Sequence, residues 1–133
     1  MPIAIWNPVY ETGNPTVDGQ HRQLFEMVNE LHHGIISGHG RDVMGPMLKR
    51  LAKYAVDHFA TEEGLMRSGG YPEFARHKGK HDALTAQVVA LLGEWEKGTA
   101  LPNSLSKFLA EWVAHHIKEE DLAMIQWLKG KSG

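Results

Sequence analysis

The stretch HFATEEGLM, His58–Met66, reads as part of an amphipathic helix with unexpected residues on its inner face. The apolar repeat running into it is Met44, Leu48, Leu51 and Ala55, and its next members are His58 and Glu62, followed by Leu65 and Met66. Residues four apart share one face of a helix. An imidazole and a carboxylate therefore stand where a core calls for apolar side chains.

The same period extends outward on both sides. A first helix is expected from Asp18, a candidate N-cap, with His21, Leu24, Phe25, Val28, Leu31 and Ile35 inward and a stop at the glycines of SGHG, Ser37–Gly40. The helix carrying the opening stretch is expected from about Arg41 to Met66, with Pro46 in its first turn and the paired glycines of SGGYP as its C-cap. A third helix, from about Pro72 to Trp95, points Phe74, His77, His81, Leu84, Val88, Leu91, Leu92 and Trp95 inward. After a turn at KGTALPNS, a fourth runs from about Ser104 to Leu128 with Leu105, Leu109, Trp112, Val113, His116, Ile117, Met124 and Leu128 toward the core. Upstream of all four, Pro2, Pro8, Pro15 and Gly13 mark an irregular arm over about residues 1–17, laid on the body by Ile3, Ile5, Trp6 and Val9. No sustained period-two alternation signals a strand. Four helices of similar length joined by short loops predict an all-α, up-down-up-down antiparallel four-helix bundle, a single domain over residues 1–133.

Composition narrows the function. Over 133 residues, 42% hydrophobic and 23% charged residues are ordinary for a soluble globular domain. A net charge of -2 with scattered Lys and Arg supplies no phosphate-neutralising patch, so no nucleic acid is expected as partner. There is no cysteine, which removes disulfides, thiolate metal ligands and thiol nucleophiles. The N-terminal stretch reads as no signal peptide and no segment is apolar enough for a membrane span, so a cytoplasmic location is expected. The unusual feature is nine histidines.

Their placement is informative. His21 lies on the stripe of the first helix, His58 and Glu62 on the second, His77 and His81 on the third and His116 on the fourth. One core histidine is usually just a hydrogen-bonded polar residue, and one i,i+4 histidine pair is often idle. Five inward imidazoles with a carboxylate would cost on the order of 1–3 kcal/mol per unsatisfied group, a cost that metal coordination removes. Their number exceeds the needs of one tetrahedral zinc and suits two ions of higher coordination bridged by carboxylates, with iron, manganese and zinc all compatible. The usual di-iron bundle pattern of paired Glu-x-x-His motifs is missing, since Glu30–His33 stands alone. His115 falls on a polar face and is expected at the surface, as are His32, His33 and His39. The carboxylate partner of His116 stays open at this point: Glu120 has the favoured spacing, whereas Asp121 lies about 140° around an ideal helix.

The motifs D-x-Q-H (Asp18–His21), H-F-x-x-E-E-x-x-M (His58–Met66), Y-P-x-x-x-x-H-x-x-x-H (Tyr71–His81) and W-x-x-x-H-I-x-x-x-D (Trp112–Asp121) resemble the hemerythrins, specifically the bacterial ones. The resemblance spans nearly the whole chain. It implies one iron held by His77, His81 and His116 and a second by His21 and His58, with Glu62 and Asp121 bridging both. A solvent-derived oxo or hydroxo group would be the third bridge, and one position on the second iron would stay open. It implies reversible binding of O2, each ferrous ion giving one electron, by a non-enzymatic carrier, store or supplier, and a monomer. The alternatives are an oxygen or nitric-oxide sensor, disfavoured because no output domain follows KGKSG, and a di-iron redox enzyme such as a peroxidase or nitric-oxide reductase. Phe25, Phe59, Trp112, Val113 and Ile117 are expected to line the gas pocket. Many members of the family carry leucine at the position of Val113, which implies wider access and faster autoxidation here.

Overall fold

The computed structural model describes residues 3–38, 41–98 and 104–132, without the side chains of residues 41, 42, 131 and 132. His39, the end of SGHG and most of the KGTALPNS turn lie outside the described residues. A 3-10 turn, Pro8–Tyr10, precedes α1 (Pro15–Ile36), α2 (Arg41–Gly69), α3 (Phe74–Glu96) and α4 (Leu105–His116); a π-turn, Ile117–Asp121, joins α4 to α5 (Leu122–Ser132). The last three form one interrupted rod, and the four rods make the expected antiparallel bundle. Backbones approach most closely where α1 meets α2 and α4 and where α2 meets α3. Between α3 and the fourth rod the links are made by side chains, Arg76 and Lys80 to Glu120 and His77 to Asp121.

Several ends differ from expectation, each for a local reason. α1 begins at Pro15 because Asn14 caps it, accepting from the Val17 amide at 3.1 Å, and proline suits the first helical position. Asp18 is therefore not the cap. Its carboxylate instead accepts from the Thr12 amide (2.9 Å), the Thr12 hydroxyl (2.7 Å) and the Gly13 amide (3.1 Å), tying the arm to α1. Pro46 sits in the second turn of α2 rather than the first. α2 runs on to Gly69 and closes in a Schellman motif, with Gly70 at φ 68° and the Tyr71 amide donating to the Met66 carbonyl at 2.9 Å. Pro72 lies in the turn before α3, not in the helix.

The arm is held less by apolar anchors than expected. Ile5 and Val9 are exposed. Asn29 does much of the work through its amide, accepting from the Ile3 and Ala4 amides at 2.9 and 2.7 Å and donating to the Ala4 carbonyl at 2.8 Å. Trp6 and Tyr10 then pack edgewise against Phe25.

Inside the bundle the apolar residues form two separate cores. The larger holds Leu24, Val28, Leu31, Leu48, Leu84 and Leu109 among others; the smaller, toward the opposite end, is built on Val17, Met66, Met124 and Ile125. Between them lies a polar layer.

Candidate metal centre

All seven sequence-predicted residues meet in that layer. His21, His58, Glu62, His77, His81, His116 and Asp121 are each at most 4% exposed. Their ligating atoms fall into two groups, Glu62–His77–His81–His116–Asp121 and His21–His58–Glu62–Asp121, each gathered within 4.8 Å. The two carboxylates belong to both groups and divide their oxygens between them. Glu62 turns Oε1 to His81 (3.1 Å) and Oε2 to His21 and His58 (both 3.2 Å). Asp121 turns Oδ1 to His77 (2.9 Å) and His116 (3.1 Å) and Oδ2 to His21 (3.0 Å). Each helical hairpin thus owns the imidazoles of one group and a single carboxylate that reaches into the other.

These contacts have the character of atoms converging on a cation. Glu62 Oε1 and both Asp121 oxygens are buried without a hydrogen-bond partner, although imidazole nitrogens lie within ion-pair distance. His116 Nε2 sits 3.1 Å from His77 Nε2 and 3.0 Å from His81 Nε2. Imidazoles bound at right angles to one ion at about 2.1 Å have nitrogens about 3 Å apart. The donor set fits a pair of metal ions.

The electrostatics agree. Burial alone would lower the pKa values of His21 and His77, but the close carboxylates of Asp121 and Glu62 and their charge raise both to about 9. Burial would raise Glu62, yet His21, His58, His77 and His81 hold it well below the usual carboxylate range. Asp121 is likewise held low against burial and the Glu62 charge, chiefly by His116 and His21. Two buried carboxylates stay ionised, and positive charge must answer them as protons or as cations.

Residues just outside this set orient it. Gln20 Oε1 accepts from His58 Nδ1 at 2.6 Å and Glu63 Oε2 from His81 Nδ1 at 3.1 Å, which turns the Nε2 lone pair of each ring inward. Phe59 stacks on His81 with 4.0 Å between centroids, and Trp112 on His116 with 4.5 Å. Sequence reasoning missed the roles of Gln20 and Glu63, although both stand inside the quoted motifs and a polar residue beside a candidate ligand was the available signal.

Asp121 enters through the π-turn. The wider turn brings a residue five positions on beneath His116, which an unbroken α-helix would not. His115 is exposed as expected and so is Glu119, whereas Glu120 is buried outside the donor set.

A cavity of about 50 Å³ opens from the layer into the larger core. His21, His58, His116 and Asp121 form its polar end, and the remaining lining is apolar, including Leu24, Leu51, Phe59, Leu84, Val113 and Ile117. Trp112 lines it too; Phe25 does not, because it faces Trp6 and Tyr10 of the arm.

Fold and donor arrangement together define a four-helix-bundle protein with a dinuclear histidine–carboxylate site. Residues 12–128 match the family described as Hemerythrin HHE cation binding domain, and the chain belongs to this hemerythrin family. It is 34% identical to a bacteriohemerythrin of Methylococcus capsulatus over 91% of this chain and 93% of that protein. A bacteriohemerythrin of Stenotrophomonas maltophilia is 31% identical over 97% of this chain and 84% of its own length. A wild-type hemerythrin crystal structure superposes with a TM-score of 0.88 at 32% identity, covering 93% of this chain and 96% of that one.

Proposed function

We propose that the protein binds dioxygen reversibly at a di-iron centre, with His77, His81 and His116 holding one iron, His21 and His58 the other, and Glu62 and Asp121 shared. The observation that carries this reading is the asymmetry of the donor groups beside an apolar cavity. Three imidazoles serve one group and two the other, and the poorer pair, His21 and His58, both face the cavity. Bound there, a ferrous pair would supply the two electrons that dioxygen takes on binding and gives back on release.

The chain's own residues favour release over reaction. Neutral imidazole nitrogens outnumber the carboxylates, which limits the negative charge that would stabilise higher oxidation states. Apolar walls give water few hydrogen-bond partners, while a small apolar gas needs none. The lining offers no titratable group beyond His21, His58, His116 and Asp121 to deliver protons for turnover. Carriage rather than catalysis is the role this supports. No helix among the described residues is long and apolar enough to cross a membrane.

The test is spectroscopic. Metal analysis is expected to give two irons per chain, and the reduced protein to develop a visible charge-transfer band in O2 that vanishes on deoxygenation and returns. Irreversible bleaching, or a single bound ion, overturns the reading.

A further inference from the structure

Glu120 is adjacent to Asp121 in the π-turn, yet its side chain leaves the donor layer and is only 4% exposed. Arg76 grips it bidentately, Nη1 to Oε2 and Nη2 to Oε1 at 2.9 Å each, and Lys80 Nζ adds a contact to Oε1 at 3.0 Å. Both cations are on α3, one residue before His77 and His81 respectively. Glu120 likewise stands one residue before Asp121, whose Oδ1 meets His77 at 2.9 Å. An outer charged row and an inner donor row therefore run in step across the seam where α3 faces the fourth rod.

The π-turn matters because the alternative register is available. In a continuous α-helix Glu120 would lie about 40° from His116, pointing at the site, and Asp121 about 140° away. Such turns are rare and occur mostly at functional sites. We infer that the Arg76–Glu120–Lys80 clamp selects the carboxylate that enters the site: by holding Glu120 outside, it keeps the π register and presents Asp121 inside. Arg76, Lys80 and Glu120 are thus positioning residues. This inference rests on the di-iron reading only for its consequence at the metal.

Hydrogen exchange of the metal-stripped full chain tests the clamp without iron. Arg76→Gln/Lys80→Gln is expected to speed exchange of amides 117–122 by about tenfold or more while α1 and α2 keep their protection. The fully reversed set Arg76→Glu/Lys80→Glu/Glu120→Arg is expected to keep wild-type protection. Unchanged exchange in the first variant overturns the proposal. In iron-loaded protein the same double variant is expected to shift the charge-transfer bands, and its crystal structure to show Glu120 beside His116 in place of Asp121. A wild-type spectrum with Asp121 still in place also overturns it. Failure of the unmodified protein to take up two irons would instead sink the metal reading and leave the exchange result standing.

Discussion

Glu63 follows Glu62 by one residue but turns away from the donor layer, accepting from His81 Nδ1. A carboxylate behind a ligating imidazole fixes the ring and makes it a stronger donor, and losing such a partner weakens metal binding by roughly 10–100-fold. Glu63→Gln keeps the size and removes the charge; chelator competition is expected to show iron affinity lowered by about tenfold or more, and an unchanged affinity would reduce the contact to packing. Val113 lines the same cavity as His21 and His58. Val113→Leu is expected to slow decay of the oxygenated form several-fold by filling space that water could otherwise reach, followed as loss of the visible band; unchanged or faster decay refutes this. At this scale the sequence exposes most of the chemistry. His21, His58, Glu62, His77, His81 and His116 lie on apolar stripes, where periodicity alone makes them conspicuous. Asp121 does not, since its five-residue distance from His116 breaks the α-helical rule, and only the family pattern singled it out.

The helices were legible because each carries a long stripe of one period, but their ends were not. Asp18 has the chemistry of a cap and lost the position to Asn14, whose following proline could start the helix earlier. That cap is worth about 1 kcal/mol: Asn14→Ala is expected to lower the urea midpoint of the metal-stripped chain accordingly, and no change would mean that the Asp18 contacts to Thr12 and Gly13 hold the helix start unaided. The π-turn is the element least visible in advance. Its local residues, IKEED, carry no special propensity, and its cause lies on another helix, at Arg76 and Lys80. The exposure of Ile5 and Val9 has a similar origin, since the arm is fastened through backbone groups to Asn29 and a stripe-based reading sees only side chains.

At the scale of the molecule, the polar layer between two apolar cores links stability to charge balance. His21 and His77, raised from 6.5 to about 9 in the folded chain, stabilise it fully below about pH 6.5, and that contribution is lost as pH rises through about 9. Metal-stripped protein is therefore expected to lose denaturation midpoint between those values, whereas metal uptake, which needs unprotonated rings, improves over the same window. A midpoint flat with pH, or uptake that weakens toward pH 9, contradicts this. The division of donors between hairpins has a further consequence. An ion seated in either half would pin the opposite half's acid group where it already stands and so would fix much of the neighbouring cradle before its own ion arrives. Filling should accordingly be all-or-none: in a sub-stoichiometric titration followed by native mass spectrometry, chains with no iron and chains with two should dominate, and an abundant one-iron species would show that the halves fill independently.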